Sequence, residues 1–551
     1  MKTLQPFASV LVLALLMIMP GQAMGVRIPP DEALHPEALQ SGQVASPVTT
    51  ASQNVAVNVI QAASCFQNDV QTAINAANEG DFVLIPEGSC AWTTLAAQTP
   101  SVIMDEKSIT LQGAGIGKTI ITDGTGLNWN EVPLRIDGVE GKSFRVTGFS
   151  IIGQGSGHYD SFAAITIGGT SKNLRVDHIR FDNIAGRSIS VSGHTYGVID
   201  HCEFIQPNGQ GVIVLDDRGT PPGSIAWDEP MSFGTADAVF IEDSTFQWGS
   251  GADGAIDCGN GGRFVFRHNT IAGIMVGNHG MDSKPRSCMQ MEIYDNTFTP
   301  SAHSVWLAIQ SRGGAALVFN NTINGSYGAG MGVTNYRSCC YAGAACTPSP
   351  DPPFGTCDGT SPLDGNTPPT TTYKGWPCKD QIGRGSRQSS EPLYEWNNTL
   401  NGSDVDVTVY NNWAGCVNPQ PSDHIKEKRD YYNDTPKPGY TPYIYPHPLT
   451  KDLVLSGAPA DRAIYLNWQV RTVLSPTSTW RIEHYSQTVA STVVATNSLT
   501  NTARAFTLTG LTNYAWYTVT LSAMLENTPV MSDTVRVMPT DRFVYLPLVL
   551  R

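Results

Sequence analysis

Short runs of alternating apolar and polar residues recur along the middle of this chain. "FRVTGFSI", "LRVDHIRF", "GVIDHCEF", "VFIEDSTF", "FVFRHNTI", "MEIYDNTF" and "LVFNNTI" lie between Phe144 and Ile323, and "VTVYNNW" comes later. Each run is rich in β-branched and aromatic residues and bounded by Gly, Asn or Asp, which predicts strands rather than helices. Aligned on the last apolar residue, they place Phe149, Ile179, Cys202, Ser244, Asn269, Asn296, Asn321 and Asn411 in one column. The steps are 30, 23, 42, 25, 27, 25 and 90 residues. A period near 25 marks a solenoid, and the two long steps predict insertions. Parallel stacking at about 4.8 Å puts like residues over one another, so a column of Asn amides bonds to itself and to turn backbone.

The column 269-296-321 resembles the asparagine ladder of right-handed parallel β-helices, and the resemblance is to the pectate-lyase-like superfamily over residues 65–446. "VQTAINAANEGDFVLIPEGSCAW" followed by "ITLQGAGIGKTII" resembles that group's cap helix and first coils, a short amphipathic helix over the open end of the stack. Residues 338–403 interrupt the repeat with an insertion rich in Pro, Gly, Thr and Cys. Residues 452–540 change to alternating strands. There "AIYLNWQV" and "LTGLTNYAWYTVTLSAM" resemble a fibronectin type III module, with Trp468 as core tryptophan and Tyr517 as the corner tyrosine six residues after Leu511. The expected fold is all-β, a right-handed parallel β-helix with a C-terminal β-sandwich.

Composition adds compartment and partner. Lys2, the run "FASVLVLALLMIM" and the small residues of "PGQAMG" read as a secretory signal over 1–25, followed by a linker over 26–64. No segment reaches the roughly 20 apolar residues of a membrane span. The tail, 541–551, ends in the apolar "FVYLPLVLR", either a surface-attachment signal or a last strand. The net charge is −14 with no basic block, which argues against nucleic acid. An acidic polysaccharide needs a local Arg/Lys cluster or a bound cation to approach such a surface. Eleven cysteines leave at least one unpaired within the chain. Cys339, Cys340, Cys346, Cys357 and Cys378 crowd into the insertion; with no C-x2-C pair, disulfides are favoured over zinc. Cys65 and Cys90 are expected to clamp the N-terminal cap, a closure worth about 3 kcal/mol in the chain-entropy model.

The candidate chemistry lies on the second strand series of each coil: "AAITIGG", "SISVSGH", "GVIVLDDRG", "GAIDCGN", "IMVGNHGMDSKPRS", "VWLAIQSRGG" and "GMGVTNYRS". Stacking brings Asp216 and Asp217, then Asp257, His279, Arg312 and Arg337 along one face. For β-elimination of a uronan, Asp216 and Asp217 are the expected Ca²⁺ ligands. Asp257, His279, Lys284 and Arg312 are the expected catalytic set, with Arg286 and Arg337 on substrate. The pectate-lyase "RxPxxR" motif is absent. The order Asp-Asp, Asp, His-Gly, Arg also resembles polygalacturonases, with "NHG" for "GHG" and "SRG" for "RIK", which implies a hydrolase using two carboxyl groups. The other alternative is a non-catalytic rod or glycan-binding surface. The pairs Asp177-His178 and Asp200-His201 resemble the "DH" of "WIDH" without its Trp; the reading taken is a solvated corner rather than a metal site.

Overall fold

The computed structural model describes residues 58–542, less 95, 127–129, 155–162, 185, 207–208, 250–253, 281–283, 335–378, 412–420, 487–491 and 494–498, and the side chains of 423–424 and 492–493. The segment read as a signal, the crowded cysteines, Arg337 and residues 543–551 lie outside the described residues.

The recurring runs form a right-handed parallel β-helix. Each of those between Phe144 and Ile323 joins its counterpart one coil away in register, as Leu174–Asp177 does with Gly197–Asp200, and that segment with Val239–Glu242. Together they build a 21-stranded sheet. Within it each coil bends sharply just before the ladder column, where His178, His201, Asp243, His268, Asp295, Asn320 and Asn397 have φ between 50° and 55°. Asp, Asn and His tolerate this left-handed conformation better than other non-glycine residues, so the corner selects them. His178 and His201 accordingly stack as exposed corner rings, each with Nδ1 on the buried carboxylate before it.

Inside the bend runs the ladder. The Asn296 Nδ2 donates to Asn321 Oδ1 at 2.9 Å, while its own Oδ1 accepts from the Asn269 amide group and backbone N–H. The next rung is Asn398, not Asn411: Asn321 donates to Asn398 Oδ1 at 2.8 Å, and Asn411 instead bonds Ser422. The strand before Asn411, Val407–Val409, pairs with Met331–Val333 in a different sheet. The repeat therefore resumes inside the stretch read as insertion, at Leu393–Trp396. It also starts earlier than residue 65, since Val59–Gln61 pairs with Phe82–Leu84.

The second series forms a separate face. Val102–Asp105, Leu134–Gly138, Ala163–Gly169, Arg187–Val191, Gln210–Leu215 and Ile256–Gly259 make a six-stranded sheet. Val276 bridges it to Ile309, where Ile309–Ser311, Met331–Val333 and Val407–Val409 continue. Between the sheets lies one apolar core. The helix Gln67–Ala76 caps its end with Val70, Ala73 and Ile74, and Cys65 is bonded to Cys90 beside it.

Beyond the last coil the chain doubles back along the outside of the large sheet. Tyr440, Tyr443 and Leu449 cover a strip made by Phe240, Val265, Tyr294, Leu317, Phe319 and Trp396. Buried Arg267 fastens the strap, bonding Glu242 and the carbonyls of Tyr443 and Ile444. Its end is held by Asp452, which accepts from Arg145 and Arg175 at 2.8 and 2.9 Å. A sandwich follows, with three strands (Leu453–Ala460, Ala463–Val470, Ala505–Thr509) against four (Thr479–Ser486, Thr492–Val493, Tyr517–Leu525, Thr528–Val537). Trp468 and Trp480 fill it, and the Tyr517 hydroxyl accepts from the Thr512 N–H. Among the described residues no helix is long and apolar enough to cross a membrane.

Candidate active site

Ile256 and Cys258 point into the core, so strand alternation turns Asp257 to the outer face of the six-stranded sheet. One coil on, the parallel bridge Ile256–Val276 puts Gly277 beside Asp257 and His279 beside Gly259. The His279 Nδ1 is hydrogen-bonded to Asp257 Oδ1, which also accepts from the Cys258 N–H at 2.8 Å. The carboxylate is nearly sealed, with 4% of its side chain exposed, while the imidazole keeps 22%. Asp257 Oδ2 is buried and finds no hydrogen-bond partner among the described residues. Burial pushes the Asp257 carboxyl up, but His279, then Arg312 and Arg187, hold it below its ordinary value. It is therefore an anion that fixes the Nδ1–H tautomer and turns Nε2, which bonds no described residue, into a proton acceptor.

Arg312 reaches this centre from the following coil. Its backbone N–H donates to Asn278 Oδ1 at 2.7 Å and its Nε to the Asn278 carbonyl at 3.0 Å, so the residue before His279 also sets the arginine. Asn278 opens the "NHG" run but carries no charge, and sequence reasoning gave it no role. Lys284 comes in over Gly259: a Cβ at 259 would sit 2.8 Å from the Lys284 Cγ. Gly277 likewise leaves the outer position between Asp257 and Gln310 without a side chain. Asp257, His279, Lys284 and Arg312 are thus gathered on one face.

The other expected residues are placed differently. Arg286 is buried, forms a two-pronged pair with Asp380 at 2.7 and 2.8 Å, and lies over the Trp227 ring. Its guanidinium is occupied in holding the loop, which takes it away from substrate. Asp216 accepts two bonds from Arg218, which also grips Glu229. Asp217 turns the other way and accepts from Asn260 at 2.6 Å. The two neighbouring carboxylates therefore do not converge into a calcium cradle. A different trio, His194, Asp216 and Glu229, brings its ligand atoms within 4.8 Å of one another. The Arg218 guanidinium already bridges its two carboxylates, and an imidazole suits calcium poorly.

These features define a parallel β-helix protein with a hydrogen-bonded Asp–His pair on an outer sheet face. No protein-family model matches the chain, and no curated protein matches it. Among solved structures, the A-module of mannuronan C-5 epimerase AlgE4 from Azotobacter vinelandii aligns with 62% of this chain and 93% of its own. The identity is 10% and the TM-score 0.26, a likeness that carries no argument about this chain.

Proposed function

We propose that this protein is a pectate-lyase-like enzyme that cleaves an acidic, uronate-containing polysaccharide by β-elimination, with His279 as the base. The observation that carries the reading is the buried Asp257 carboxylate on Nδ1 of a partly exposed His279, with Arg312 beside it. In the reaction, His279 Nε2 takes the proton on C5, α to the uronate carboxylate. The C–H electrons form the C4–C5 double bond as the C4–O4 bond breaks, and O4 leaves with a proton from Lys284. Arg312 offsets the charge that develops on the carboxylate. No step runs through calcium. A hydrolase needs two carboxyl groups facing the scissile bond, whereas Asp257 is bonded to His279, Asp216 to Arg218 and Asp217 to Asn260. The two disulfides among the described residues support an oxidising, extracellular setting. The Tyr517–Thr512 bond and core Trp468 support a fibronectin-like spacer.

The test is a panel of acidic glycans read both by absorbance of unsaturated uronate and by reducing ends. The wild type should produce both signals, and Asp257→Asn and His279→Gln should each lower turnover by more than about 100-fold while remaining folded. Reducing ends without absorbance would make it a hydrolase. No product from any glycan would leave a non-catalytic rod.

A further inference from the structure

We propose that the Cys258–Cys288 disulfide is a positioning element of the Asp257–His279 pair, holding imidazole to carboxylate where the sheet no longer does. The inference rests on reading that pair as the acid–base centre. Its starting point is a thinning of the sheet. Ile256–Gly259 pairs in continuous register with Val212–Leu215 on the coil before. On the coil that carries His279 regular pairing gives way to isolated bridges, Val276 to Ile256 and Ile309 and, across the loop, Ser287 to Gly259, and it resumes at Ile309–Ser311. Three residues beyond the Val276 bridge, His279 lies outside the paired strands.

What replaces the ladder is centred on the two cysteines. The His279 N–H donates to the Cys258 carbonyl at 2.7 Å, and the Cys288 N–H donates to the His279 carbonyl at 3.1 Å. The bond between Cys258 and Cys288, both fully buried, closes this three-cornered arrangement. Cys258 also follows Asp257 directly, and its N–H donates to the same Oδ1 that takes the His279 Nδ1. One residue of the disulfide therefore touches both members of the pair, and the other holds the far side of the histidine. Loop closure over 30 residues stabilises the fold wherever it falls. Placement around His279 adds a geometric role, because an acid–base group displaced by about 1 Å loses roughly 100-fold in rate.

The experiment compares two double variants of the full chain, Cys258→Ala/Cys288→Ala and, at the cap, Cys65→Ala/Cys90→Ala. Melting temperature, kcat and KM on the cleaved glycan, and the His279 ring nitrogen shifts by NMR are read for each. Both variants should melt lower. Only the first should lose kcat, by about tenfold or more with KM little changed, and only it should replace the single Nδ1–H tautomer of His279 by a mixture. If that variant does not fold, Cys258→Val/Cys288→Ala restores apolar volume for the same measurements. A folded variant that keeps the single tautomer and full kcat overturns the inference. If the wild type cleaves no glycan, the functional reading fails while the tautomer measurement still decides the role of the disulfide.

Discussion

Lowering the pH should loosen the strap through His447. The ring is 4% exposed, packs against Phe240 and Tyr443, and accepts the Leu449 N–H on Nδ1 at 3.2 Å. That leaves the proton on Nε2, which is buried and has no partner among the described residues. A second proton would break the bond to Leu449 and add a buried cation near Arg267. Burial first, and then Arg267, lower the imidazole from its ordinary 6.5 to about 4; Arg175 and Arg471 act in the same direction and Asp200 opposes. The unfolded chain thus binds this proton before the folded one. Stability from this group is full above pH 6.5, falls as the pH drops from 6.5 to 4, and is level below. At about 1.4 kcal/mol per unit, the shift amounts to roughly 3 kcal/mol in all, about 2 of it spent by pH 5. His447→Asn keeps an acceptor for the Leu449 N–H, as a helix cap would, and does not titrate there. Urea unfolding at pH 7.5 and 5.0 should show the wild type losing about 2 kcal/mol more than the variant. Equal losses, within about 0.5 kcal/mol, would refute the reasoning.

Asn296→Leu removes the acceptor of the Asn269 N–H and of one of its amide hydrogens, and should cost about 3 kcal/mol in urea unfolding. Exposed Thr297→Val, one residue on, should change less than about 0.5 kcal/mol. Gly259→Ala should push the Lys284 stem aside and lower kcat by roughly tenfold while the protein stays folded at the assay temperature. Unaltered turnover in that variant would place Lys284 outside the reaction.

The solenoid was legible because stacking repeats its demands: each coil asks for a left-handed corner and then a buried side chain able to satisfy turn amides. Asn398 escaped notice because "YEWNNTL" and "VTVYNNW" carry the same pair of asparagines, and only pairing partners distinguish the sheets. The grouping of Asp257, His279 and Arg312 was readable from the strand series, because their two-residue offset keeps them on one face. The fate of Arg286 was not, since Asp380 lies 94 residues further along the chain. Arg218 stood in plain view two residues from Asp216, yet its grip depends on Glu229, which an irregular segment folds back. Charged residues at strand ends can be placed by sequence; which of them are already spoken for by distant partners cannot.

The strap over the aromatic strip also bears on how the molecule is made. A repeat array can be completed coil by coil as it emerges, each coil sealing the one before. Here the strip across Phe240, Tyr294, Phe319 and Trp396 stays open until Tyr440 to Leu449 arrive, and Arg145 and Arg175 wait for Asp452. The coils carrying Arg145 and Arg175 are thus finished by a residue made 307 and 277 positions later. A chain halted before residue 440 would leave the strip from Phe240 to Trp396 uncovered, ready to adhere to its neighbours.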